Sequence, residues 1–294
     1  MRHAILGPGG VGGLVGACLA RAGDSVTLVG RPGDPKPQPA RLQLESAFGN
    51  FSVALSCTSS VPPVDVVWIT VKATQLDAAL TSFPEGNSVG AIVPLLNGVD
   101  HVAMLRSRYG ADRVIPATIA VESERVAPGH IVHRSPFARL NVLSSGRKLL
   151  QTTLQQLQQI GFTCQFVDSE PTLLWSKLVF LAPLALVSTA AGKTTGEIAA
   201  DVTWRGKLES CVREVAAVAR AEGATVDPEA VLSIIRSLPS HMRSSMQKDV
   251  EQGRIPELDA IGGPILRGAD RHQLEVPVTR ELVARVEPRT GQGR

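Results

Sequence analysis

No stretch of the sequence carries a block of charge of one sign. Thirty basic residues stand against 27 acidic ones, the formal charge is +3, and no basic tail is present. Electrostatic binding to nucleic acid is therefore not expected. Cysteine is sparse: Cys18, Cys57, Cys164 and Cys211 lie far apart, with no CxxC pair. That excludes a zinc knuckle and argues against a disulfide frame, and it suits reduced thiols in a cytoplasmic protein. His101, His130, His133 and His241 show no metal-ligand spacing, so no metal is assigned.

A long hydrophobic run is also lacking. Residues 178–191 are interrupted by Pro183, Ser188 and Thr189 and bracketed by Lys177 and Lys193. A membrane span needs about 20 residues, so this stretch reads as a buried helix and no membrane is expected. Residues 4–20 follow Arg2 in the manner of a signal peptide. Six glycines (7, 9, 10, 12, 13 and 16) are too many for its helical core. What remains is an ordinary globular composition, 44% hydrophobic and 19% charged over 294 residues. That is enough chain for two domains or one large one, and it excludes a disordered or fibrous protein.

Up to about residue 168, strand and helix patterns alternate. Residues 3–6, 25–29, 64–71, 88–95 and 114–121 read as strands and 53–55 as a weak one. Residues 11–22, 75–81 and 99–109 read as helices, and 32–40, with three prolines, as a loop. Such alternation implies a parallel sheet covered on both faces. Residues 129–133 and 138–142 read as a pair of shorter strands, 147–160 as a helix and 163–167 as a last strand. From residue 173 on, almost every segment has helical spacing: 173–190, 204–222, 228–237, 240–251, 257–272 and 278–286. The expected organisation is an α/β dinucleotide-binding domain over residues 1–168 and an all-helical domain over 169–294.

The densest motif is Gly7-Pro8-Gly9-Gly10-Val11-Gly12, which fits G-x-G-x-x-G between a strand and a helix. Gly7 would allow the tight turn, Gly9 the approach of a pyrophosphate, and Gly12 close packing of helix on strand. The helix N-terminus offers unpaired N–H groups to phosphate. At the end of the second strand an NAD site usually carries an acid for the ribose 2′-hydroxyl. Here the chain runs Val29-Gly30-Arg31, and a guanidinium suits a 2′-phosphate. The expected cofactor is NADP(H).

Lys72 follows a buried strand, and Asn97-Gly98 follows the next; both would stand at the carboxyl edge where open sheets bind ligands. Lys177 lies in the apolar run Leu174-Trp175-Ser176-Lys177-Leu178-Val179. Facing a cleft, it would have a lowered pKa suited to proton donation. Ser245 and Asp249 fall one turn apart: Ser245 suits a carboxylate ligand and Asp249 would hold a neighbour in place. Glu257 follows Pro256 at a helix start, where capping is the alternative role.

Together these segments resemble the ketopantoate reductase (2-dehydropantoate 2-reductase) family over essentially the whole chain. The resemblance rests on the glycine loop, Arg31, Val71-Lys72-Ala73, Asn97-Gly98-Val99, Pro128-Gly129-His130-Ile131 and Trp175-Ser176-Lys177-Leu178. It continues through Ser244-Ser245-Met246 with Asp249 and Glu257-Leu258-Asp259 followed by Gly262-Gly263. It implies a Rossmann domain joined to a helical domain, and NADPH-dependent reduction of ketopantoate to pantoate, on the way to coenzyme A. It implies Lys177 as general acid, Glu257 as its orienting partner and Ser245 as the carboxylate anchor. Lys72 and Asn97 would lie on the nicotinamide side. The only partner implied is a small 2-oxo acid, with a homodimer left open.

One departure stands out. The family's ketopantoate reductases carry asparagine four and eight residues after the lysine; here these are Leu181 and Ala185. Two lost polar partners would cost about 1–3 kcal/mol each in transition-state binding if uncompensated. A more apolar 2-oxo acid is thus an alternative substrate. A non-catalytic NADP(H)-binding protein, and a dehydrogenase of the wider class acting on a 3-hydroxy acid or an imine, are the other readings.

Overall fold

The computed structural model describes residues 1–30 and 40–287. They form two compact units. The first comprises Met1–Leu96 and His101–Asp168, and the second comprises Asn97–Asp100 and the chain from Ser169 onward.

The first unit opens with β1 (Arg2–Leu6), α1 (Gly10–Arg21), β2 (Ser25–Val29), β3 (Ala40–Glu45), β4 (Phe51–Thr58), β5 (Val64–Ile69), α2 (Leu76–Leu80), β6 (Val89–Pro94) and α3 (His101–Tyr109). It continues with β7 (Ala117–Ala120), β8 (Ser123–Ala127), β9 (His130–His133), β10 (Arg139–Leu143), α4 (Arg147–Ile160) and β11 (Thr163–Val167). The main sheet has the order β6-β5-β1-β2-β4-β3-β9-β8. Its first five strands are parallel, with Ile5 opposite both Leu28 and Trp68. β1 and β5 are apolar on both faces and buried from their second or third residue onward, as covered parallel strands must be.

Beyond β4 the sheet differs from the expected parallel one. β3 runs antiparallel to β4, β9 parallel to β3, and β8 antiparallel to β9. β3 was not among the expected strands, although Arg41-Leu42-Gln43-Leu44 alternates with a strand's period and Leu42 and Leu44 are buried. β4 runs eight residues where three were expected, because alternate positions reach solvent and dilute its apolar signal. β8 was not expected either: nearly every side chain on this edge strand is exposed. Residues 130–133 and 139–143 do not pair with each other. β10 sits between β7 and β11 in a separate three-stranded sheet. One apolar cluster of this unit has Leu14, Val15, Leu19, Trp68, Leu140 and Leu157 among its buried members, and Leu6, Val67, Ile69, Phe83, Ile92 and Leu105 are buried outside it.

The second unit contains α5 (Glu170–Ala191), α6 (Thr195–Ala200), α7 (Val202–Ala221), α8 (Pro228–Arg236), α9 (Ser245–Glu251), α10 (Leu258–His272) and α11 (Pro277–Val286). At 22 residues α5 is long and apolar enough to cross a membrane, but 78% of its most apolar window is buried. It packs against α7, α11, α9, α10, α8 and α6, so its hydrophobicity belongs to a protein core. Ser169 caps its start through the Thr172 amide, and Gly192, at φ +66°, ends it in the left-handed conformation. Pro183 lies inside the helix and removes one backbone bond to Val179.

Most helices here start on a conventional side-chain cap. Thr194 and Glu197 form a capping box on α6, and Asp201, Asp227 and Ser244 cap α7, α8 and α9. Glu214 reaches from α7 to the Val278 and Thr279 amides and caps α11. α9 begins at Ser245 rather than at 240. The Ser240 and Met242 carbonyls bond instead to the Gly196 and Thr195 amides, so that stretch cannot be helical.

Candidate active site

The glycine turn joins the end of β1 to α1. Gly7 has φ +87°, and a Cβ there would meet Val71 Cγ1 at 2.3 Å. A Cβ on Gly12 would lie 2.3 Å from Thr70 Oγ1 and 2.8 Å from the Gly7 carbonyl. The Thr70 hydroxyl donates to that carbonyl at 2.7 Å and so fills the space Gly12 leaves. Gly10 lies against the Ser123 backbone, whose side chain donates to the Gly10 carbonyl at 2.9 Å. Pro8, Gly9, Gly10 and Val11 are partly buried at the turn.

Gly9 is different. A Cβ on it would meet nothing nearer than 4.0 Å. It is the N-cap of α1, no side chain caps the helix, and no acid occupies its first turn. An open cradle with backbone donors and a positive helix end fits a pyrophosphate. Lys72 leaves the sheet on the same edge, since Leu6 pairs with Ile69 and the turn and the lysine follow directly. It is partly buried and heads a short 3-10 turn. Arg31 lies outside the described residues.

In the helical unit Lys177 is partly buried in the first half of α5. Burial pulls its ammonium from the ordinary 10.5 down to about 8, against the Glu257 carboxylate, which raises it. At neutral pH such a group is mostly protonated and ready to give its proton up. Glu257 is 7% exposed and occupies the N-cap position of α10, yet it makes no capping bond. Its Oε2 accepts from the Asn97 side-chain amide at 2.9 Å. The capping role weighed above is thus not the one it plays. Asn97 belongs to this unit by packing, and the structure brings Lys177, Glu257 and Asn97 into one electrostatic group.

Ser245 and Asp249 occupy different environments. Ser245 is exposed at the first turn of α9, whereas Asp249 is 3% exposed and accepts from Arg254 Nε at 2.8 Å. Asp249 therefore holds the chain between α9 and α10, the connection from Ser245 to Glu257. A link that spacing alone could not reveal is the buried pair Ser188 and Ser244, whose hydroxyls lie 2.8 Å apart. It ties the N-cap of α9 to α5, and neither serine has a sequence signature for that contact. Leu181 is partly buried against the helical core and Ala185 is fully buried within it. Among the described residues no group of three or more His, Cys, Asp or Glu side chains is arranged to hold a metal ion.

Residues 3–142 match the family model described as Ketopantoate reductase PanE/ApbA, and residues 172–289 match its C-terminal counterpart. The chain is 32% identical over 292 residues to the 2-dehydropantoate 2-reductase of Caulobacter vibrioides, with 96% of each chain covered. Among solved structures it resembles a PanE/ApbA family ketopantoate reductase from Ralstonia eutropha JMP134. There the TM-score is 0.86 at 28% identity, over 100% of this chain and 99% of the other. A D-mandelate dehydrogenase, solved with NADH and anilino(oxo)acetate, shares the fold at TM-score 0.84 and 20% identity, covering 99% and 98%.

Proposed function

Because the chain belongs to the ketopantoate reductase family, we propose that it reduces a 2-oxo acid to the 2-hydroxy acid with NADPH, taking 2-dehydropantoate to pantoate by default. The supporting observation is the grouping of Lys177, with its pKa lowered to about 8, and a buried Glu257 held by Asn97. A binding protein has no need of a desolvated acid beside an ordered carboxylate. The reading places the enzyme in the cytoplasm; burial pushes the Cys18, Cys164 and Cys211 thiols up to about 12, which leaves them unreactive and without a part in the chemistry.

In this reading the first-turn backbone amides of α1, at Gly10 and Val11, hold the pyrophosphate over the open Gly9, with Gly7, Pro8 and Gly12 shaping the turn, and Arg31 takes the 2′-phosphate. Lys72 and Asn97 serve the nicotinamide side. When bound, NADPH supplies a hydride to the carbonyl carbon. Lys177 Nζ gives its proton to the carbonyl oxygen as charge develops there, so C=O becomes CH–OH with both hydrogens accounted for. Glu257 accepts a hydrogen bond from the new hydroxyl and favours the charged lysine beforehand. The exposed Ser245 hydroxyl donates to the substrate carboxylate.

A second reading concerns the acyl side chain. Leu181 and Ala185 follow Lys177 at helical spacing and offer no hydrogen bond from their side chains to a hydroxylated substrate. That favours a more apolar 2-oxo acid with the same chemistry. NADPH consumption with 2-dehydropantoate and with a panel of branched and aromatic 2-oxo acids decides between the two. Efficient turnover of 2-dehydropantoate supports the first, and turnover confined to apolar acids supports the second. Absence of turnover with every acid, while NADPH still binds, would overturn both.

A further inference from the structure

We propose that Arg267 is a positioning residue for this reduction, clamping the segment Asn97–Asp100 onto α10 so that the Asn97 amide stays on Glu257; the assignment rests on the catalytic reading above. The segment is four residues long, and the chain on either side of it belongs to the other unit. Its hold on α10 has three parts. Asn97 donates to Glu257 at one end. Gly98, at φ +85°, is pressed against the Ala260 carbonyl so closely that a Cβ would lie 2.3 Å from its oxygen. At the other end Asp100 accepts from Arg267 Nη2 at 2.5 Å.

Arg267 also donates through Nη1 to Asp259 Oδ1 at 2.8 Å, so one guanidinium spans two carboxylates. The planar fork meets the two acids through separate terminal nitrogens, whereas an ammonium would have to reach both from a single nitrogen. The two acids hold the guanidinium pKa above its usual value. Gly263 lies midway between Asp259 and Arg267 on the same helix face. A Cβ there would sit 2.3 Å from Asp259 Oδ1 and 2.6 Å from both terminal nitrogens of Arg267. The glycine leaves the bare strip of helix across which the ion pair lies flat. All three charged side chains are substantially exposed. Exposed pairs add little to global stability, so loss of the clamp should register in catalysis rather than in folding.

The test uses Arg267→Ala, Arg267→Lys and Gly263→Ala in the full chain. Each is expected to lower kcat by about five- to tenfold with the cofactor Kd and the unfolding midpoint nearly unchanged. Lysine should fail to rescue. Gly263→Ala should lose activity although alanine favours the helix. Arg267→Ala combined with Asn97→Ala should be no worse than Asn97→Ala alone. The Asn97 side-chain amide signals in a nitrogen–proton NMR spectrum should move in Arg267→Ala. Unmoved signals, losses that multiply in the double variant, or kcat losses matched by lost stability would overturn the proposal. If the wild type turns over no 2-oxo acid, the catalytic reading fails, while the amide signals still report whether the clamp exists.

Discussion

Replacing Lys177 by methionine should make the protein more stable at neutral pH while abolishing its proton donor. Folding carries the ammonium from an ordinary 10.5 to about 8, with desolvation outweighing the attraction of Glu257. At about 1.4 kcal/mol per tenfold, that difference corresponds to at most about 3 kcal/mol against the folded state. The sign follows from linkage. A lysine whose folded pKa is depressed costs stability fully below about 8. The cost fades as pH rises toward the unfolded value, because both states are then neutral. Methionine has a similar length and no charge, so Lys177→Met removes the cost outright. Urea unfolding followed by tryptophan fluorescence measures it, since the buried Trp175 and the partly buried Trp204 report on the helical unit. The expected gain is up to about 3 kcal/mol near pH 7, shrinking toward zero near pH 10.5. A variant less stable than wild type at both pH values, or a gain independent of pH, would refute a desolvated, charged Lys177.

Gly12→Val should abolish NADPH binding in a fluorescence titration, because a Cβ already falls 2.3 Å from Thr70 Oγ1 and the turn must move. Gly9→Ala should leave unfolding unchanged, having open space around it, and still weaken NADPH through contact with the pyrophosphate. Glu257→Gln should shift the alkaline limb of kcat to lower pH, since the carboxylate raises the Lys177 pKa. Leu181→Asn with Ala185→Asn should raise kcat/KM for 2-dehydropantoate relative to a branched apolar 2-oxo acid. The same pair should lower stability by about 1–3 kcal/mol, because Ala185 is fully buried. Arg31→Ala should narrow the ratio of NADPH to NADH affinity, measured side by side by titration.

What the sequence made legible was local and dense. A strand, a six-residue glycine motif and a buried helix announce a dinucleotide fold because Gly7 answers a steric demand from Val71 and Gly12 one from Thr70, while Gly9 leaves open space. The apolar α5 was legible because a stretch buried on every side over residues 182–190 shows in composition without knowledge of its neighbours. What escaped depended on partners far along the chain. β8 is almost wholly exposed and is a strand through its pairing with β9. The stretch before Ser245 has helical spacing but spends its carbonyls on Thr195 and Gly196. Glu257 stands where a cap belongs, and the Asn97 amide, 160 residues away, and the Lys177 ammonium show what it does instead. Arg267 joins acids on two separate segments, which no single window of sequence contains.

The most direct test of the account is the pH dependence of NADPH oxidation with the best 2-oxo acid, for wild type and for Lys177→Ala. With Lys177 as the acid, wild-type kcat should fall as pH rises through about 8. The variant should lose on the order of 10²–10⁴-fold and show no such limb. A variant within a fewfold of wild type, carrying the same alkaline limb, would contradict the assignment and move the proton donor elsewhere.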